Sequence, residues 1–106
     1  MTPEEAELSA ALVDFEQAEE RVGLEHQNWS YLQMSHMSFM DSLQEMGLTR
    51  EEAQERFNSR MSSHSESFSV ALEQRNNASS RLIDVLRRFP YLLQSLPSEA
   101  KRRLGI

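Results

Sequence analysis

The sequence has no cysteine, and glycine and proline occur only three times each in 106 residues. Missing thiols exclude disulfides and thiolate metal sites, and suit a reducing compartment. So few turn-forming residues exclude a many-stranded β fold, which needs frequent chain reversals. No apolar run approaches the roughly 20 residues that span a bilayer. The first twenty residues are acidic, so they do not read as a secretory leader or an Arg-rich transit peptide. A cytoplasmic location is the resulting expectation. Three histidines, with no phosphate loop, nucleophile–base triad or metal-ligand spacing, leave a poor catalytic toolkit. A non-enzymatic protein is therefore expected, with no cofactor, no metal and no small-molecule substrate.

Charge is present but unevenly placed. The net charge is −6, yet residues 1–55 hold 13 acids and two bases, while residues 56–106 hold nine bases and four acids. Such a split describes either a basic arm for an acidic partner or two halves that answer one another. The helical pattern favours the second reading.

Thr2, Pro3 and Glu5 form a helix-start signal, with an N-cap, a first-position proline and a capping-box acid. From there Leu8, Phe15, Val22, Trp29, His36 and Leu43 recur every seven residues. Ala11, Ala18, Glu25, Leu32, Phe39 and Met46 form the companion row. This is an a/d seam with two polar interruptions. Gly47 is the favoured left-handed cap, Leu48 can fold back on the last turn, and Thr49 with Glu52 opens a second helix. That helix carries Phe57, His64, Ala71, Ala78, Val85 and Leu92 in one row, and Met61, Phe68, Arg75, Leu82 and Phe89 in the other. Pro90 should kink or end it, and Pro97 opens a last short helix.

The fold class expected is all-α: an antiparallel two-helix hairpin, coiled-coil-like, with a short C-terminal helix after a proline kink. A single helical domain covers residues 1–106, with helices over about 3–46 and 50–89, a turn at 47–49, and an extension over 90–104. With the turn centred near residue 50, Leu43 faces Phe57, Phe39 faces Met61, His36 faces His64, Trp29 faces Ala71, and Glu25 faces Arg75. Both polar exceptions then meet polar partners, and large residues meet small ones. Glu25–Arg75 reads as a register lock. His36–His64 reads as a polar layer with the makings of a pH sensor, since facing imidazoles repel once protonated. On the flank, Glu7 and Asp14 approach Arg81 and Arg88.

Apolar residues exceed what this seam buries. Leu12, Met40, Leu72, Leu86 and Leu93 widen the stripe, and Leu24, Tyr31, Met34, Met37, Val70, Ile83 and Tyr91 lie outside it. Contiguous exposed apolar surface marks an interface. The expected function is accordingly protein–protein interaction, through Leu24, Tyr31, Met34, Met37, Met40, Leu72, Ile83, Leu86 and Leu93. The expected partner is a second copy completing a four-helix bundle, or another helical protein. A Met- and Ser-rich half gripping a client helix, as a small chaperone or regulator would, is the alternative. Lys101, Arg102 and Arg103 form a basic cluster that admits a weak nucleic-acid or membrane-surface adaptor, though neither partner is expected on an acidic chain without a base-reading motif.

Overall fold

The computed structural model describes residues 2–106. Among these, all regular structure is helical. Helix α1 (Pro3–Met34) starts where its cap signal lies: the Glu5 N–H donates to Thr2 Oγ1 at 3.2 Å. It stops at Ser35, and α2 (His36–Glu45) follows at once. Gly47, at φ 102°, takes the left-handed conformation that ends α2. The Leu48 N–H donates to the Leu43 carbonyl at 3.1 Å, and the Gly47 N–H to that of Gln44 at 3.0 Å, which closes a Schellman cap. The second capping box closes in both directions. Thr49 N–H donates to Glu52 Oε1 at 3.1 Å, and Glu52 N–H donates to Thr49 Oγ1 at 3.2 Å. Helix α3 (Arg50–Arg88) begins on that box.

Pro90 ends α3, as expected from the sequence. Phe89, ahead of Pro90, leaves the helical region at φ −129° and ψ 72°, and a 3-10 helix follows over Pro90–Ser95. Helix α4 (Ser98–Leu104) comes next, and Gly105 at φ 74° caps it with the Ile106 N–H on the Lys101 carbonyl at 3.0 Å.

The chain divides into two compact units, Met1–Glu20 with Glu73–Ile106, and Arg21–Leu72. In the first, the start of α1 runs antiparallel to the end of α3, and the 3-10 helix and α4 close over them. Leu8, Phe15, Ala78, Leu82, Val85 and Leu86 pack with Leu92, Leu96 and Ala100 in one core. Phe15, Leu82 and Leu92 are almost fully enclosed, each contributing about 1.5–3 kcal/mol of apolar burial. At the flank, Arg88 pairs with Glu7, Arg81 with Asp14 at 3.7 Å, and Arg75 with Glu19 at 3.8 Å. These pairs are exposed or half-exposed, so they select orientation more than they add stability.

The second unit is a helical hairpin made from the end of α1, α2, the Gly47 turn and the start of α3. Met40, Ala53 and Phe57 form its core, with Phe39, Leu43 and Met61 packed against them. Leu32 and Ala71 are also buried.

Three expectations are corrected. The first helix, expected unbroken over 3–46, is divided at Ser35 (φ −91°, ψ 7°). Ser35 Oγ donates to the Leu32 carbonyl at 3.2 Å, the kind of side-chain bond that competes with the helical ladder, while the Ser35 N–H and carbonyl keep their ladder partners Tyr31 and Phe39 at 2.9 Å. The register is also different. Within each unit the facing pairs mirror about Gly47, as in Asp14 with Arg81, Glu19 with Arg75, and Trp29 with His64. They do not mirror about residue 50, because the connection occupies Met46–Thr49 and Thr49 is already the cap of α3. Each facing partner is thereby moved by about one heptad. Finally, Met40 and Leu86, expected on an outer interaction surface, are buried within the two cores. The close of each helix pair turns those flanking positions inward.

Candidate interaction surface

The register change reassigns every polar seam residue. His64 lies against Glu25: its Nε2 is 2.9 Å from the Glu25 carbonyl oxygen, and its Nδ1 is 3.7 Å from Glu25 Oε2. The indole of Trp29 stacks on the same imidazole, with centroids 5.7 Å apart and planes 24° from parallel. Arg75, expected opposite Glu25, instead takes Glu19 as its partner. His36, expected opposite His64, stacks on Phe57 at 4.0 Å and 22°, and its buried Nε2 has no hydrogen-bond partner. The paired-histidine layer is therefore replaced by two separate aromatic–imidazole stacks. Helical spacing explains the first. Glu25 and Trp29 are four apart on α1, so both reach one residue of α3.

Beside this cluster lies a groove of about 370 Å³. Asn28, Tyr31 and Leu32 line it from α1, and Arg60, Ser63, His64 and Ser67 from α3. Ser63 and Ser67 supply its small walls. Arg60 also reaches over the Phe39 ring, its guanidinium carbon 5.3 Å from the centroid.

The apolar residues expected to be free divide into three groups. Leu24, Tyr31, Met34 and Met37 are 55%, 69%, 87% and 69% exposed, and Leu93 is 40% exposed. Leu72 and Ile83 are half-buried. Met40 and Leu86 belong to cores, as above. Leu24 and Tyr31 are seven residues apart and share one face of α1, and Met34 follows one turn beyond Tyr31. Met37 continues the exposed series after the Ser35 break. Met46 in the turn and Val70 on α3 add exposed apolar surface to the same unit.

Of the basic cluster, Arg102 Nη2 lies 2.7 Å and Arg103 Nε 3.4 Å from Glu99 Oε1, one turn earlier on α4. Lys101 is half-buried. All three occupy the last turn of α4, where cations complement the carbonyl end of the helix.

Sequence reasoning missed the Glu25–Trp29–His64 cluster. The turn itself carried the signal: mirroring the chain about Gly47 puts His64 opposite Ser30, beside Trp29. No group of three or more His, Asp or Glu among the described residues is placed to hold a metal ion. No helix among them is long and apolar enough to cross a membrane. Comparison with protein families, with characterised proteins and with solved structures finds no match.

Proposed function

We propose that this chain is a non-enzymatic helical interaction module that docks a helix of a partner, with a second copy of itself as the first partner to test. The observation carrying this reading is the run Leu24, Tyr31, Met34 and Met37, all more than half exposed on helices. Water contact at four large apolar side chains is unfavourable by about 25 cal/mol per Å² of apolar surface, and a docked helix relieves it. Methionine suits such a surface, because its unbranched thioether adapts to different partner shapes. Two copies meeting through these faces would complete a four-helix bundle. A client helix in place of the second copy is the alternative, and the same residues would grip it.

The test is molar mass in solution against concentration, for the native chain and for the double variant Tyr31→Glu/Met34→Glu. Self-docking predicts a mass that doubles with concentration in the native chain and stays monomeric in the variant. A native chain that remains a well-folded monomer throughout would remove the homodimer and leave the client-helix reading.

A further inference from the structure

Arg60 lines the groove between α1 and α3, and no carboxylate shares that lining with it. The chain as a whole carries a net charge of −6. The grooves of the other unit follow that charge: Glu16, Glu19 and Glu20 line one, and Glu7, Asp14 and Asp84 line another. Helical spacing gathers the rest of the Arg60 groove. Arg60, Ser63 and Ser67 are three and four residues apart on α3, so they share one face. Asn28 and Tyr31, three apart on α1, meet them across the groove, and buried Leu32 adds an apolar wall.

The polar lining is rich in donors: a guanidinium, a side-chain amide and the hydroxyls of Tyr31, Ser63 and Ser67. Among the described residues, none of these side chains bonds to an acceptor of the chain. Arg60 does reach over the Phe39 ring, a contact that engages no oxygen. Both ring nitrogens of His64 lie towards Glu25, so this imidazole walls the groove without serving it. Two acids stand nearby. The Glu25 carboxylate is 3.7 Å from His64 Nδ1, and Glu55 lines an adjoining depression with Arg56, which offsets it. Neither acid lines the groove itself.

We propose that this groove binds a small phosphate monoester. A carboxylate offers only about four lone-pair sites on two oxygens, fewer than the donors gathered here can fill. A phosphate monoester brings three strong acceptor oxygens and nearly two negative charges. The guanidinium takes two of those oxygens side by side, and the hydroxyls and the Asn28 amide take the remaining lone pairs. At about 370 Å³ the groove exceeds a phosphate group, so the organic part of the ester lies against Leu32 and the Tyr31 ring. Only Tyr31 is shared with the docking face, and a single copy of the chain suffices to bind.

Phenyl phosphate is the probe, followed by amide NMR of the full chain at one protein concentration and constant ionic strength. At about pH 8 the ester is a dianion and histidine is neutral, so imidazole charge does not enter. Shifts should saturate and be largest at Asn28, Tyr31, Ser63 and Ser67. Benzoate should bind more weakly, and phenol should produce no saturable shift. Arg60→Gln should raise the dissociation constant by about tenfold or more, and Ser63→Ala/Ser67→Ala should raise it as well. Arg56→Gln, outside the groove, should leave it nearly unchanged. Shifts centred on Lys101, Arg102 and Arg103, or equal losses in Arg60→Gln and Arg56→Gln, would overturn the proposal. So would shifts that never saturate, or benzoate binding as tightly as phenyl phosphate. If Arg60→Gln disturbs the fold, Arg60→Lys decides, because it keeps the charge but loses the two-pronged geometry. Weaker binding is expected there; unchanged binding would overturn the site.

Discussion

Gly23 lies well inside α1, where a residue without a side chain gives up more backbone freedom on folding than any other. A Cβ built at this position meets nothing within 4 Å. Gly23→Ala should therefore raise stability by about 1 kcal/mol, seen as a higher urea midpoint with an unchanged slope. Glu52 makes a second prediction at this scale. The Thr49 backbone N–H, and then the Thr49 hydroxyl, hold its carboxyl below the ordinary carboxylate range. A carboxyl lowered by folding stabilises above its unfolded value and loses that contribution as pH falls through the folded one. The melting-temperature difference between the native chain and Glu52→Ala should be largest above the ordinary carboxylate range and shrink as acidification protonates the Glu52 carboxyl. A difference that persists unchanged at the acid end would show that the Glu52 charge plays no part in the cap.

At the scale of elements, the two capping boxes, the Gly47 cap and the Pro90 stop were legible because each is a local device, fixed by residues within one turn of one another. The register was not. A slip of one heptad returns every a and d residue to the seam, so Leu8, Phe15, Leu82 and Val85 are core residues in either alignment. Hydrophobic periodicity is blind to that choice, and the turn decides it. With Thr49 already capping α3, the mirror point falls near Gly47, so Arg75 meets Glu19 and His64 meets Trp29, with Glu25 one turn before Trp29 reaching the same ring. That Glu7 and Asp14 lie near Arg81 and Arg88 was legible in the sequence, but which acid takes which base, Glu7 with Arg88 and Asp14 with Arg81, follows only from the observed register. The Ser35 break escaped notice for a different reason. Serine inside a helical pattern costs little by propensity, and nothing in sequence shows whether its hydroxyl turns back on the preceding carbonyl. A cysteine-free chain makes the register directly measurable. Asp14→Cys with Arg81→Cys should be bridged by a short bifunctional maleimide faster than Asp14→Cys with Arg88→Cys.

Packing within the first unit gives the matching prediction for its core. Leu82 is fully enclosed among Phe15, Val85 and the residues that follow Pro90. Leu82→Ala should cost about 2–5 kcal/mol, read from equilibrium denaturation. A loss below about 1 kcal/mol would mean that Leu82 is not at a tightly packed centre.

For the whole molecule, the mild net charge conceals a division of labour. The acidic early residues and basic late ones are matched as Glu7–Arg88, Asp14–Arg81 and Glu19–Arg75 in the first unit. The second unit is joined instead through aromatic and imidazole stacks: Trp29 on His64, His36 on Phe57, and His26 tilted against Phe68. It is also the unit that leaves Tyr31, Met34 and Met37 in water. The proposed docking face lies on that unit, and its methionines provide the most direct test. Methyl NMR of the native chain should be recorded across a range of protein concentrations. The account predicts that the Met34 and Met37 methyl signals shift or broaden as concentration rises, while buried Met40 stays unchanged. Met34 and Met37 signals that ignore concentration while others move would contradict it.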